Sequence, residues 1–433
     1  MLVYILIISI LGVVGMLVCL AFFPELKIGR FKFQTFWMPP LVSAVGLLAS
    51  TLVKWNYFWG FLTSPSAINP LEILLLFLSM AFLSTVLDEA GFFANLASKT
   101  VHKAGGSQLK VFIFLYALTS FLTIFTSNDI IILTFTPFLI YFSKRAKVNP
   151  IPYLVGEFVA ANSWSMLFLI GNPTNIYLGQ SFGIDFGTYF LAMWPSALVG
   201  GVVSFLIMIA LFYKKLKVPF EGAASVTIEP IKDRPLMLAS LLSLFLCLIM
   251  MMVANFFAIP LWLISTVAAI ALLLFFLIYC FIKKERFPML SNSLKRLPYS
   301  VIPFVLSMFV LVLGLKESGV TASLGATLNS LDPIWSYGIS SFFAANLVNN
   351  IPMSVLFTEV IRDGAGSLRA MYASVISSNI GAFLSPVGAL AGVMWMSILK
   401  SHDIKYTFFD FMKYGLLIAV PTLLVSLAAL YLI

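Results

Sequence analysis

VFIFLYALTSFLTIFTSNDIIILTFTPFLIYFS, residues 111–143, is an apolar stretch with a polar centre, Thr126-Ser127-Asn128-Asp129, and a lysine just beyond each end, Lys110 and Lys144. Basic residues favour the cytoplasmic side of a membrane, so both ends are expected on one face. The stretch falls short of the roughly 40 apolar residues that two full crossings require. It therefore reads as a re-entrant hairpin whose polar tip lies inside the membrane. Backbone exposed at that depth is tolerated only where protein or a water-filled cavity covers it, which makes the tip a candidate binding site.

The rest of the chain fits a membrane setting. Of 433 residues, 61% are hydrophobic and 10% charged, with mean hydropathy +1.04, a balance that no water-soluble core of this size needs. Apolar runs such as 2–23, 189–213, 235–256 and 260–282 each suffice for a spanning helix. The formal charge of +9 sits in short loops between apolar runs, which excludes a nucleic-acid-binding face. Met1 leads straight into an apolar run with no basic leader, so the first span is expected to be retained. Cys19, Cys247 and Cys280 are scattered through apolar runs and lack metal-ligand spacing.

All Lys and Arg except Lys54, Lys316, Arg362 and Arg369 fall on one side of a threading with ten crossings and two hairpins, both termini outside. The second hairpin, 333–361, enters from the opposite face, with the tip Asn346-Leu347-Val348-Asn349-Asn350-Ile351-Pro352. Each hairpin is preceded by a crossing of similar ending, LDEAGF at 87–92 and LKESGV at 315–320. Each is followed by a crossing broken in its middle, at Gly171-Asn172-Pro173-Thr174-Asn175 and at Ser377-Ser378-Asn379-Ile380-Gly381 with Ser385-Pro386-Val387-Gly388. Glycine and proline interrupting corresponding spans of two halves point to a transporter site. The expected fold is an all-α integral membrane protein of two inverted repeats, each of five transmembrane helices plus one re-entrant hairpin, with broken helices at the midplane. Residues 1–213 form the first repeat, 214–234 a cytoplasmic, partly mobile linker containing Pro219, Gly222 and Pro230, and 235–433 the second.

Intramembrane ionisable groups are costly and mark function by default. Asp129 is the candidate proton or cation coupling residue, with helix capping as its structural alternative. Ser127, Asn128, Asn346, Asn349 and Asn350 at the tips, and Asn172, Thr174, Asn175, Ser378, Asn379 and Ser385 at the breaks, are the candidate substrate ligands. Their amides and hydroxyls can replace the hydration of a small solute or ion, or can satisfy the broken backbone itself. A pair of tips with a single carboxylate favours a neutral solute or a cation over a multivalent anion. Glu157 reads as a side chain snorkelling to the interface, with a second proton site as the alternative; Glu359 reads as an ion pair near Arg362, and Asp88 and Glu89 as solvated interface residues. His102 and His402 fall in basic loops, far from carboxylates, so no metal site is expected. No phosphate-binding loop, nucleophile elbow or zinc signature occurs. Neither an enzyme nor an ATP-driven motor is expected; the driving force would be a proton or sodium gradient, with no cofactor.

LDEAGFF (87–93), SNDIIILTFTP (127–137), GLKESGVT (314–321), VNNIP (348–352) and SPVGALAGVMW (385–395), in this order, resemble the bacterial arsenite-efflux permeases of the ArsB type. These belong to a wider ion-transporter group that also holds NhaD-type sodium/proton antiporters and dicarboxylate carriers. The resemblance runs nearly end to end. It implies that the tips and breaks enclose the substrate, that Asp129 matches the acidic residue of the family's first tip, and that arsenite or antimonite leaves the cell through its plasma or inner membrane in exchange for protons. Sodium/proton exchange and carboxylate uptake are the alternatives. The expected partners are the lipid bilayer and a small inorganic solute or ion, with room for a homodimer and, as the resemblance allows, a soluble ATPase subunit; nucleic acid is not among them.

Overall fold

Proline and asparagine set where the helices begin. At the start of the helix Pro70–Glu89, Asn69 accepts a hydrogen bond from the Leu71 amide at 3.0 Å and Pro70 occupies the first turn, where its missing N–H costs nothing. The same helix ends at Gly91, whose φ of +88° turns the chain away.

The computed structural model describes residues 2–23, 25–28, 31–63, 69–104, 106–218, 227–283, 288–364 and 366–433. Pro219 and Gly222 of the expected linker, and Arg30, Lys284 and Arg286 of the basic loops, lie outside them. In the first half, α1 (Leu2–Phe22) is followed by a small antiparallel ribbon, β1 (Glu25–Ile28) and β2 (Phe31–Gln34). Then come α2 (Met38–Ala49), α3 (Trp55–Thr63), α4 (Pro70–Glu89), α5 (Phe92–Ala104), α6 (Gln108–Phe125), α7 (Asn128–Ala146), α8 (Ile151–Trp164), α9 (Pro173–Ser181) and α10 (Phe186–Leu216). The second half holds α11 (Arg234–Val253), α12 (Leu261–Lys283), α13 (Pro288–Lys295), α14 (Val301–Glu317), α15 (Val320–Asn329), α16 (Pro333–Val348), α17 (Asn350–Asp363), α18 (Leu368–Gly381), α19 (Leu390–Ser401) and α20 (Phe408–Ala429). Apart from the ribbon, the described secondary structure is helical.

Among the described residues, seven helices are long and apolar enough to cross a membrane: α1, α4, α6, α10, α11, α12 and α20, the last continuing to Leu432. A further apolar pair, α14 and α15, bends by 76° between its members. Large apolar side chains such as Val267, Ile270, Leu274 and Phe281 of α12 stand exposed, as a surface solvated by lipid chains requires. This is a multi-pass membrane protein.

The halves interlock. Helix α4 packs on α12 and α11, and α14 packs on α2 and α1; α7 lies against α19, α17 against α9, and α10 against α20. The basic loops meet at one end. There the Lys232 amide donates to Ala90 O at 3.0 Å, Gln108 Nε2 to Val218 O at 2.8 Å, and Lys144 Nζ to His402 O at 3.1 Å. The described ends of the linker are thus tied to the first half, at Val218 and again at 229–232, where Asn95 Nδ2 donates to Glu229 O at 2.5 Å. At the opposite end, the Arg362 guanidinium donates to Ser181 O and Thr321 Oγ1 to Asp363 Oδ2 at 2.5 Å.

Candidate functional site

The first tip is built by the sequence Thr126 to Asp129. Thr126 Oγ1 donates back to Leu122 O at 2.8 Å, closing α6, and α7 restarts with Asn128 Oδ1 accepting from the Asp129 amide at 2.9 Å. Asn128 is 1% exposed, and its Nδ2 donates to Asn162 Oδ1 at 2.8 Å, pinning the tip to the end of α8. The N-cap residue of α7, Ser127, makes no side-chain capping bond. The Asp129 carboxylate accepts no hydrogen bond from the described residues and lines a cavity.

Helix α8 ends at Trp164, and the chain passes through Gly171-Asn172-Pro173, which cannot continue a helix, before α9 begins. A Cβ on Gly171 would overlap Ser165 O, Asn172 Oδ1 accepts from the Thr174 amide at 3.2 Å, and Pro173 opens α9. Asn175 Nδ2 donates to Ser165 O at 2.8 Å, which satisfies a carbonyl the break sets free. The second break is closed from the second tip. Asn346 Nδ2 donates to Gly381 O at 3.1 Å, Ser385 Oγ to Asn346 Oδ1 at 2.7 Å, and Asn349 Nδ2 to Val387 O at 2.8 Å. A Cβ on Gly388 would lie 2.7 Å from Gly381 O and 2.8 Å from Asn346 Oδ1, so only glycine lets the tip approach.

Asn349 holds φ 77°, ψ 154°, a region otherwise left to glycine. Its two side-chain contacts, to Val387 O and from the Ile351 amide at 3.4 Å, hold it there. Asn349→Val is expected to be less stable than Asn349→Gly by about 1–3 kcal/mol, because both lose the side-chain bonds and only glycine is free of the strain. Thermal unfolding in detergent checks this: equal losses for the two variants would mean the conformation is not the cause. Beside it, Asn350 is 4% exposed and its Oδ1 has no hydrogen-bond partner among the described residues.

The two breaks bind each other. Asn379 Oδ1 accepts from Ser165 Oγ at 2.8 Å and Asn172 Nδ2 at 2.9 Å, while its Nδ2 donates to Asn175 Oδ1 at 2.7 Å and Val375 O at 2.8 Å. Thr174 Oγ1 and Ser378 Oγ share a bond of 2.5 Å. The candidate residues thus fall into three groups: Ser127, Asn128 and Asp129 at the first tip, Asn346, Asn349, Asn350 and Ser385 where the second tip meets its break, and Asn172, Thr174, Asn175, Ser378 and Asn379 at the junction of the breaks. Asn162 and Ser165, which join these groups, escape the sequence pattern because nothing local marks a helical Asn or Ser as bonded across the fold.

A cavity of about 1220 Å³ runs from the basic end to the first tip. Ser127 and Asp129 are the candidate ligands on its wall, with Thr85 and Thr134 nearby and Val393, Met394 and Ser397 of α19 across from them. Asp88 and Glu89 at its mouth are not free interface residues: Arg296 Nη1 binds both, at 2.6 and 2.7 Å. Arg296 lies far along the chain, so spacing could not reveal the pair. Glu359 is ion-paired as expected, and its short contact is to Lys316 Nζ at 2.5 Å, with Arg362 at 3.8 Å. Glu157 does not snorkel. It is 2% exposed, because α7 packs over this part of α8 and Thr136 Oγ1 lies 3.0 and 3.1 Å from its two carboxyl oxygens. Among the described residues, no three His, Cys, Asp or Glu side chains are grouped as metal ligands would be.

A family model described as "Citrate transporter" matches residues 2–367. The chain is 25% identical over 417 residues to the "Arsenical pump membrane protein" of Escherichia coli K12, covering 91% of this chain and 92% of that protein. It is 26% identical over 387 residues to the "Putative arsenical pump membrane protein" of Bacillus subtilis, covering 82% and 86%. A "46 kDa membrane protein" of Mycobacterium leprae is 25% identical over 379 residues, covering 83% and 85%.

Proposed function

The chain belongs to the citrate-transporter family and is a membrane transporter, and on that premise we propose that it exports arsenite or antimonite across the cell membrane in exchange for protons. The observation that carries this reading is the chemistry of the cavity's deep end. Its polar groups at the tip are Ser127 and the carboxylate of Asp129, which has no hydrogen-bond partner among the described residues, with Thr85 and Thr134 on the wall between them and Asp88. The cations on the cavity wall, Lys232, Lys295 and Arg296, belong to the basic end, and Arg296 is bound to two carboxylates. Arsenite near neutral pH is an uncharged trihydroxide that hydroxyls and amides can hold. A citrate anion would meet Asp129 with no cation beside it, at a cost of the like-charge kind. The names of the relatives point the same way.

The architecture proposed is the inverted one: residues 1–213 and 235–433 as two repeats joined at a cytoplasmic linker, both termini outside. Three features support it. The packing of α4 on α12 is matched by α14 on α2, and that of α7 on α19 by α17 on α9. Each tip bonds to the interrupted end of the following helix, Asn128 to Asn162 and Asn346 to Gly381, and not to a far surface. The cavity reaches the first tip from the basic end only as far as Ser127 and Asp129. In this mechanism Asp129 takes up a proton as arsenite leaves, and the breaks change partners when the site turns to the other face.

Purified protein in liposomes tests the assignment: arsenite uptake, citrate uptake and sodium-driven proton flux are measured under imposed pH gradients. Arsenite flux that follows the proton gradient is the expected result. Citrate flux without arsenite flux would make this a carboxylate carrier, and proton flux driven by sodium alone would make it an antiporter.

A further inference from the structure

Glu157 is a carboxyl group buried between the halves, and the coupling role given to Asp129 does not use it. Its surroundings are specific. Thr136 of α7 stands 3.0 Å from one carboxyl oxygen and 3.1 Å from the other. The indole of Trp395, from α19 of the second half, faces the same carboxyl, yet its Nε1 has no hydrogen bond of normal length among the described residues. Trp395 is itself held by Phe158, Phe411 and Tyr406, with centroids 5.3, 5.7 and 5.2 Å away.

No charged side chain of the described residues is ion-paired with Glu157, and none acts on it at short range. The ionisable groups on the surrounding elements are occupied. Tyr116 of α6 is bonded to Gly201 O and Ser204 Oγ of α10, Tyr153 one turn back on α8 to Gln108, and Tyr406 packs on Trp395. On α7, Asp129 lies at the tip and Lys144 and Arg145 at the opposite end. A single hydroxyl proton cannot serve two carboxylate oxygens, so an ionised Glu157 would be left buried with no cation beside it among the described residues and with one oxygen facing only the more distant Trp395 indole, which burial of a charge disfavours. A neutral carboxyl fits the same geometry: its O–H donates to Thr136 Oγ1, or the threonine donates to its carbonyl oxygen.

We propose that Glu157 is a second proton-binding site of the transport cycle, loaded while α19 is packed on α7 and emptied when the two separate. The proton binds to the carboxylate to give the neutral acid and leaves as the site opens to water. Its bonding partner Thr136 is 0% exposed and lies on the same helix as Asp129, beside the cavity-lining residues Thr134 and Pro137. Asp129 and Thr136 are seven residues apart on α7, which is about two turns, roughly 10 Å along the axis and on nearly the same face. A cycle with both sites exchanges more protons than Asp129 alone would carry. This part rests on the proton-coupled reading above.

Two measurements on the full-length protein in liposomes test it. Infrared difference spectra over a pH titration read the carboxyl itself without any substrate. A buried protonated-carboxyl band is expected that vanishes in Glu157→Gln and shifts in frequency in Thr136→Val, which loses the bonding partner. The second is arsenite flux. Glu157→Gln, an isostere of the loaded form, is expected to lower pH-gradient-driven accumulation by roughly 5- to 150-fold, the range of a typical coupling free energy, while arsenite/arsenite exchange without a gradient persists and Glu157→Asp restores part of the coupling. An unchanged band in Glu157→Gln, or unchanged gradient dependence in a variant that still exchanges arsenite, would overturn the proposal. If the unmodified protein moves no arsenite, the substrate reading fails, and the infrared titration still decides whether Glu157 binds a proton.

Discussion

Asp129→Asn is expected to leave the protein folded and inserted while sharply weakening the dependence of arsenite flux on a pH gradient. The carboxylate stabilises nothing visible: its neighbour Asn128 makes the bonds that fix the tip, and Asp129 itself faces the cavity. Replacing it with the isosteric amide removes one titratable group and keeps the volume, so unfolding in detergent is expected to stay within about 0.5 kcal/mol of the parent, as for other substitutions away from structural contacts. Coupling is a different matter. A gradient works only through a group that changes protonation, and the coupling free energies that link two ligands typically correspond to about 5- to 150-fold effects. Liposome flux with and without the gradient reads this directly. Gradient dependence unchanged in Asp129→Asn would remove this residue from the mechanism.

Asn379→Leu is expected to have the largest effect on stability. All the hydrogen-bonding capacity of this amide is used, by Ser165, Asn172, Asn175 and Val375. Three of these partners belong to the other half of the molecule. Leucine matches the volume and supplies none of the bonds, which leaves Asn172 Nδ2 and the Asn175 carbonyl buried and unserved, while Ser165 Oγ keeps its bond to Asn162 O. At about 1–3 kcal/mol for each orphaned group, the loss is on the order of 2 kcal/mol or more, seen as a lowered unfolding midpoint and poor recovery of monodisperse protein. A double-mutant cycle with Asn172→Leu separates the shared part, because the second substitution removes a partner already unserved. Full additivity would mean the breaks are not coupled through this cluster.

These residues also show how far a sequence carries. The tips at Asn128 and Asn349, and the breaks at Asn172 and Ser385, were legible because their causes are local: glycine, proline and amide side chains interrupting apolar runs leave a mark within a few residues. Glu157 was misread. Its fate depends on α7 and α19 closing over it, and periodicity along α8 says nothing of what covers each face. The Arg296 pairing with Asp88 and Glu89, and the bonding of Asn162 to Asn128, were hidden for the same reason, since both join residues whose adjacency exists only after folding. The expected split of basic residues, by contrast, needs only the order of apolar runs, and two contacts join such loops, Ala90 with Lys232 and Lys144 with His402.

The central claim is that the first tip lies inside the membrane, open to the basic end and in contact with the transported solute. Ser127→Cys, in a chain whose Cys19, Cys247 and Cys280 are replaced by serine, tests it with a membrane-impermeant thiol reagent applied to one face of sealed vesicles at a time. Labelling is expected from the face that carries Lys110 and Lys144, slowed by arsenite. Labelling only from the opposite face, at the rate of a surface loop and indifferent to arsenite, would contradict it.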